Sequence, residues 1–319
     1  MRIDTLNIDR YTTRNGDEKP RAVTPEVLAV GAMQLPLARL REAGFEGDLS
    51  AETLQLGGLR LGKVSLQTRA TQGLLTLGPV EASLYGGRYQ GAFALDARGK
   101  APSLTVETAL AKVEVAPLLA DVGQGDGISG TLNFEARLTA SGNGPRQQIA
   151  SLNGPASFAV TDGEINGIDL PAVLEAGARM LKSRKRTAAP KGGRTAFHSL
   201  TGSLRIEGGV VHNDDLLLDG VGFHVTGKGV MADLNRRRIA YRANLAVPLE
   251  DGDGRSSVGL RGFDIPVRCE GELSVSSCKP DLAGLLGKAV KGVVNNGLGR
   301  KLEDEARGAG KALRKLLEF

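Results

Sequence analysis

Residues Leu54-Gln55-Leu56-Gly57-Gly58-Leu59-Arg60-Leu61-Gly62-Lys63-Val64-Ser65-Leu66 alternate apolar and polar side chains on both sides of a Gly-Gly pair. Period-two alternation puts one set of side chains on each face of an extended strand, and Gly-Gly supplies the backbone freedom of a tight hairpin turn. The same signature continues along the chain at Leu75/Leu77, Leu132/Phe134, Phe158/Val160, Leu204/Ile206, Phe223/Val225 and Leu245/Val247. Between these pairs stand Gly86-Gly87, Asp96-Ala97-Arg98-Gly99, Asn143-Gly144-Pro145, Asn153-Gly154-Pro155, Gly208-Gly209 and Asp251-Gly252-Asp253-Gly254, all of them turn chemistry. A strand roughly every eight to twelve residues predicts a mainly β chain: a long, curved antiparallel sheet, laid down as a meander and open along one face as a groove.

Composition agrees with that reading. The 319 residues are 41% hydrophobic and 24% charged, which excludes a disordered polyampholyte and allows a sizeable interior. Average usage of about 7% glycine would give roughly 22 residues. The chain has 44, a density that breaks helices. Only 4% of residues are aromatic and none is Trp, so the interior is aliphatic. A net charge of +5 and a pI of about 9.2 suit an anionic partner, nucleic acid or membrane. No run reaches the roughly 18 to 20 apolar residues of a bilayer span. Met1 is followed by Arg2 and Asp4 without an apolar signal core. Ile3, Leu6 and Ile8 already alternate, which points to an internal start and a longer natural protein.

Sliding the chain against itself aligns Gly163-Glu164-Ile165-Asn166-Gly167-Ile168-Asp169-Leu170 with Gly209-Val210-Val211-His212-Asn213-Asp214-Asp215-Leu216, an offset of 209 − 163 = 46. Either a hairpin unit repeats along a quasi-linear sheet, or two glycine-rich hairpins coincide. Helical signals are few. Asp169 before Leu170-Pro171 reads as an N-cap, with Leu174, Ala178 and Leu181 at helical spacing behind it. A basic loop from Lys182 to Arg194 follows. Pro25 to Arg41 has room for a short helix broken near Pro36, and Leu282 to Val293 and Leu302 to Leu317 form amphipathic stretches. That tail lies on an anionic membrane surface or caps the open end of the sheet. The chain therefore divides into a β-groove over 1–168 with a helical insertion near 25–41, a helix and basic loop over 169–196, a continuing groove over 197–280, and amphipathic helices over 281–319.

Reactive constellations are sparse. His198, His212 and His224 do not fall at zinc-ligand spacing, and neither H-E-x-x-H nor C-x-x-C occurs, so no metal or cofactor is expected. His212 with Asp214 and Asp215 sketches a base and its carboxylates, but no nucleophile elbow accompanies them, and turn residues explain them better. Gly57 to Lys63 and Gly222 to Lys228 both spell G-x-x-x-x-G-K. The next residue, Val64 or Gly229, carries no hydroxyl, and strand surrounds both, so they read as turns. Arg236-Arg237-Arg238 and the run from Lys182 to Arg186 contain no aromatic platform, and no nucleic acid is expected as partner. Cys269 and Cys278 flank a strand and turn. They are either a hairpin-like disulfide, which leans towards an oxidising compartment, or two unrelated thiols. What remains is aliphatic surface. A curved sheet lined by Leu, Ile and Val, without aromatic bulk to plug it, makes a trough suited to acyl chains. Candidate lipid-binding positions are Leu204, Ile206, Leu216, Leu218, Phe223 and Val225.

Ser151-Leu152-Asn153-Gly154, then Val160-Thr161-Asp162-Gly163-Glu164-Ile165-Asn166-Gly167-Ile168-Asp169-Leu170, then Phe197 to Leu216 and Val225-Thr226-Gly227-Lys228-Gly229 resemble the C-terminal region of the AsmA family. Leu6-Asn7-Ile8-Asp9-Arg10-Tyr11 is similar to that family's D-R-Y-containing element, and Ile265-Pro266-Val267 through Pro280-Asp281 to its closing strands. The resemblance implies a Gram-negative envelope protein with an inner-membrane anchor and a β-groove across the periplasm. It also implies a part in outer-membrane assembly and in carrying phospholipid between the membranes. Without the anchor, the chain reads as a C-terminal fragment or a truncated member. The family has no established catalytic residues to carry over. A non-enzymatic, lipid-conducting protein is the expectation, against the alternative of an assembly factor that docks outer-membrane proteins through sheet edges.

Overall fold

Every Gly-Gly pair that alternation places between two apolar runs is a hairpin in the computed structural model, which describes residues 2–9, 37–123, 125, 127–167, 169–172, 192–246, 264–273 and 277–280. The strands are β1 (Arg2–Asn7), β2 (Gly44–Leu56), β3 (Leu59–Thr71), β4 (Leu74–Leu84), β5 (Gly87–Asp96), β6 (Ser103–Glu114) and β7 (Ile128–Ser141). They continue as β8 (Gly154–Asn166), β9 (Arg194–Glu207), β10 (Val210–Gly220), β11 (Phe223–Asp233), β12 (Arg238–Ala246), β13 (Asp264–Glu272) and β14 (Cys278–Pro280). All fourteen lie in one sheet in sequence order, and β1 and β14 stand at its two ends, so the sheet is not closed into a barrel. At about 4.8 Å per strand the sheet extends roughly 60 Å across its strands.

Pairing is antiparallel from β2 to β14, as expected for a meander. The exception is β1, which runs parallel to β2 with Arg2 opposite Ser50 and Asn7 opposite Gln55. A parallel pair needs a crossover rather than a hairpin. The segment 10–43 supplies the connection, which local alternation cannot reveal.

Among the described residues the meander is interrupted by the short helices α1 (Leu37–Glu42), α2 (Val115–Asp121) and α3 (Pro145–Ala150), the last opened by Pro145 at its first turn. Helix α1 falls at the end of the expected helical insertion. Pro25 to Pro36 lies outside the described residues, as do residues 173–191 of the expected helix and basic loop and the whole of 281–319. Asp169 does act as a cap, its Oδ1 accepting the Ala172 amide at 2.9 Å.

The near-repeat corrects itself on this frame. Gly163 to Asn166 ends β8, opposite Phe197 to Arg194, which begin β9. Val210 begins β10, opposite Glu207, which ends β9. The two copies thus occupy opposite ends of the strands.

Apolar side chains gather on one face. Ala51, Leu54, Leu61, Val64, Ala82, Leu84 and Val113 form one buried cluster, Val115, Val160, Phe197, Leu218, Phe223, Leu245 and Ile265 a second, and Ala136, Ala156 and Ile206 a third. Ala51 and Leu54 reach the same cluster although three residues apart. Lys63, which falls between the Ala51–Val64 and Thr53–Gly62 pairs, takes φ 50°, and this left-handed residue resets the parity of both strands there.

Candidate functional site

Register builds the apolar face into rows. Val113, Leu132, Val160, Leu200, Leu218, Val225, Leu245 and Ile265 stand directly opposite one another across β6 to β13. Eight strands therefore carry one unbroken aliphatic line, about 34 Å long at the usual strand spacing. Five of its members are buried: Val113, Val160, Leu218, Leu245 and Ile265.

Helix α2 covers this edge. Val115 and Leu119 pack into the second cluster and Leu118 into the first, so one short helix fills the apolar face where the two meet. Its end is latched. The Asp121 carboxylate accepts the Tyr85 hydroxyl at 2.6 Å and the Arg60 Nε at 2.9 Å. At Gly58 a Cβ would sit 2.7 Å from the Asp121 carbonyl oxygen, so only glycine admits this close approach. The Tyr85 hydrogen bond, helped by Arg60, holds the Asp121 carboxyl below the usual carboxylate range, while burial pushes the Tyr85 hydroxyl up.

Nearer the opposite edge, beside α1, the face is different. Leu77, Phe93, Val106 and Leu138 are in register across β4 to β7, all half-buried. Leu77, Phe93 and Val106 belong to none of the three clusters. Leu138 packs against the third cluster, and the other three form a half-buried apolar row outside the clusters.

The few aromatic residues line the face without obstructing it. Phe158 lies opposite Gly202, Phe197 opposite Gly163 and Phe223 opposite Gly220. Each ring rests on the bare backbone of its partner. A Cβ on Gly220 would meet the Phe223 ring at 2.1 Å, and one on Gly163 the Phe197 ring at 2.2 Å. These glycines are therefore space for rings lying flat. This pairing was not anticipated from the sequence, although the distance between each Gly and an aromatic on the next strand could have indicated it.

All six sequence-designated positions lie on the apolar face. Leu218 and Phe223 are buried in the second cluster, with half-buried Val225 packed against it. Ile206 is buried in the third cluster, with half-buried Leu204 against it. Leu216, opposite Gly227, is half-buried and belongs to neither. Leu204, Leu216 and Val225 thus keep accessible surface, while Ile206, Leu218 and Phe223 form the floor beneath. Cys269 and Cys278 are directly paired across β13 and β14 and joined by a disulfide, with Cα atoms 3.8 Å apart.

One polar node interrupts the apolar face. Asn213 is 1% exposed. It accepts the Tyr241 hydroxyl and donates its amide to the Ser203 carbonyl and the Asp215 carboxylate, each at 2.8 Å. Burial, with Asp215 and Asp214 nearby, pushes the Tyr241 hydroxyl strongly up, so it remains a donor. Asp215 also accepts the Ser203 hydroxyl at 2.7 Å and amide at 2.8 Å, bonds that hold its carboxyl below the usual range. The carboxylate thereby fastens the β10 bulge between Asn213 and Leu216. His224, on the polar face, pairs across the hairpin with Asp219 at 2.9 Å. Among the described residues no three His, Cys, Asp or Glu side chains cluster as metal ligands, and no helix is long and apolar enough to cross a membrane.

Comparison with known proteins adds a family. The model described as AsmA family matches residues 10–216. No curated protein and no solved structure matches the chain.

Proposed function

The chain belongs to the AsmA family, and from that premise we propose that it binds or conducts phospholipid along the apolar face of its sheet. On this reading it is a non-enzymatic protein of the Gram-negative envelope that supports outer-membrane assembly. The observation that carries the reading is the half-buried row Leu77, Phe93, Val106 and Leu138, which continues the aliphatic floor and of which Leu77, Phe93 and Val106 belong to no core cluster. Exposing an acyl chain to water costs about 0.8 kcal/mol per methylene, roughly 12 kcal/mol for fifteen carbons. A continuous apolar gutter removes most of that barrier at every step, with no co-reactant or cofactor. Accessible surface at Leu204, Leu216 and Val225 extends the path towards β11, over the buried Ile206, Leu218 and Phe223. The polar headgroup remains in water beside the gutter.

We place the protein in the periplasm, with the natural protein held at the inner membrane and residues 281–319 available for a membrane surface. The Cys269–Cys278 disulfide favours an oxidising compartment.

A photoreactive residue at Val106 or Leu204 should crosslink phospholipid in intact envelopes, whereas one at Glu135 on the polar face should not. Equal labelling at Glu135, or no lipid adduct at either apolar position, overturns the reading. A second reading, docking of outer-membrane proteins through sheet edges, is favoured by one feature. Residues 44–49 of β2 have no strand on their outer side among the described residues, because β1 pairs only from Ser50 onward. Crosslinks from Asp48 to protein, with none to lipid from Val106, would select it.

A further inference from the structure

On the polar face, charges that meet across strands in the first half of the sheet are of opposite sign. Glu46 faces Arg69 and pairs with it at 2.9 Å, and Glu107 faces Arg137. The last four strands keep such a line at one end, where Asp233 faces Arg238 and Arg238 faces Glu272, but carry a second row of one sign. Lys228 stands opposite Arg242, Arg242 opposite Arg268, and Lys279 continues the row by backbone register. Directly opposed like charges sit about 5 Å apart at Cβ and destabilise a sheet.

Among the described residues, little neutralises this row. Among the described residues Lys228 and Arg242 make no ion pair. Arg268 has only Glu270, along its own strand, at 3.5 Å. The Asp215 carboxylate beside Lys228 is engaged by Ser203 and Asn213. Lys228, Arg242 and Arg268 are all exposed.

We propose that the polar face of β11 to β14 docks on the phosphate-bearing surface of an anionic lipid bilayer through Lys228, Arg242 and Arg268. A repulsive row costs stability in the free protein, and an anionic partner turns the same row into an attraction. The cations are spread on a flat strand face rather than around a concavity, so they fit a surface carrying many anions better than one free anion. His224, Thr226, Asn244, Pro266, Glu270 and Glu272 share this face, and no Phe, Tyr or Trp ring lies among them to stack a nucleobase. This inference does not rest on the acyl-chain reading, since it concerns the opposite face and headgroup charge.

The test uses the full 319-residue chain and sedimentation with vesicles of phosphatidylglycerol and phosphatidylethanolamine. The triple variant Lys228→Gln/Arg242→Gln/Arg268→Gln should lose on the order of 100-fold in partitioning, each cation near an anionic surface contributing about fivefold. Its thermal midpoint should equal or exceed the wild-type value, because repulsion is relieved. The control Arg69→Gln/Arg88→Gln/Arg137→Gln makes the same change in net charge elsewhere on the polar face and should partition as the wild type does. Equal loss in both triples, no loss in the first, or loss of duplex DNA binding without loss of vesicle binding overturns the inference. Vesicle binding that follows this pattern while Val106 yields no lipid crosslink would leave it standing and remove the conduit reading alone.

Discussion

The two edges of the apolar face obey one binary pattern and end in different states. Beside α2, the row from Val113 to Ile265 is largely buried; Val115 and Leu119 join the cluster that holds Val160, Leu218, Leu245 and Ile265, Leu118 packs with the cluster of Val113, and Asp121 latches the helix to Arg60 and Tyr85. Towards α1, Leu77, Phe93 and Val106 repeat the same alternation on the same face, but no core cluster includes them. Alternation decides which face is apolar. Whether that face is closed into core depends on what packs with it, and the proposed acyl path needs the part that is not.

The sharpest way to break the comparison is to make one truncation on each side. Leu218→Ala, in the second cluster, should cost about 3 kcal/mol through lost burial and a cavity. Leu77→Ala should cost about 1 kcal/mol, because its surface is shared with water in the folded state. Urea midpoints measure both. Equal losses would mean that the α1-side row is ordinary core.

Glycines sharpen it next. Gly220→Ala forces a Cβ to within 2.1 Å of the Phe223 ring, and displacing that ring should cost roughly 1 to 3 kcal/mol. Gly47→Ala, in the open row opposite Thr68, meets nothing within 4 Å and should stay within about 0.5 kcal/mol of wild type. Thermal melts of the two variants check this pair.

Legibility from sequence follows the same division. Hairpins such as Leu54 to Leu66 were readable because a local pattern and a local turn specify them. The shared face of Leu204, Ile206, Leu216, Leu218, Phe223 and Val225 was partly readable. Which of the six are floor and which are surface depends on packing from distant elements, including Phe197 on Gly163. The parallel pairing of β1 requires a long crossover, the latch on α2 joins residues 61 apart in sequence, and the parity change at Lys63 comes from a backbone φ. None of these leaves a periodic trace. The 46-residue similarity did leave one, but it compared opposite ends of strands.

The smallest expected effect concerns the latch. The Asp121 carboxyl lies lower in the folded chain than when unfolded, chiefly through the Tyr85 hydrogen bond and then through Arg60. Its contribution is therefore complete above the ordinary carboxylate value and is lost as pH falls through the lowered folded value. Asp121→Asn should cost at most about 1 kcal/mol at neutral pH. In chemical denaturation it should also lose less stability than wild type on acidification through that window. A parallel acid response in the two proteins would mean that the latch contributes nothing to closing the α2 edge.

The gutter itself is tested most directly by native mass spectrometry of protein purified from a bacterial envelope. The wild-type chain should carry phospholipid, and the double variant Leu77→Asp/Val106→Asp should be folded by circular dichroism yet emerge without it. A wild-type chain free of lipid, or a double variant carrying as much as the wild type, would contradict an acyl path along Leu77, Phe93, Val106 and Leu138.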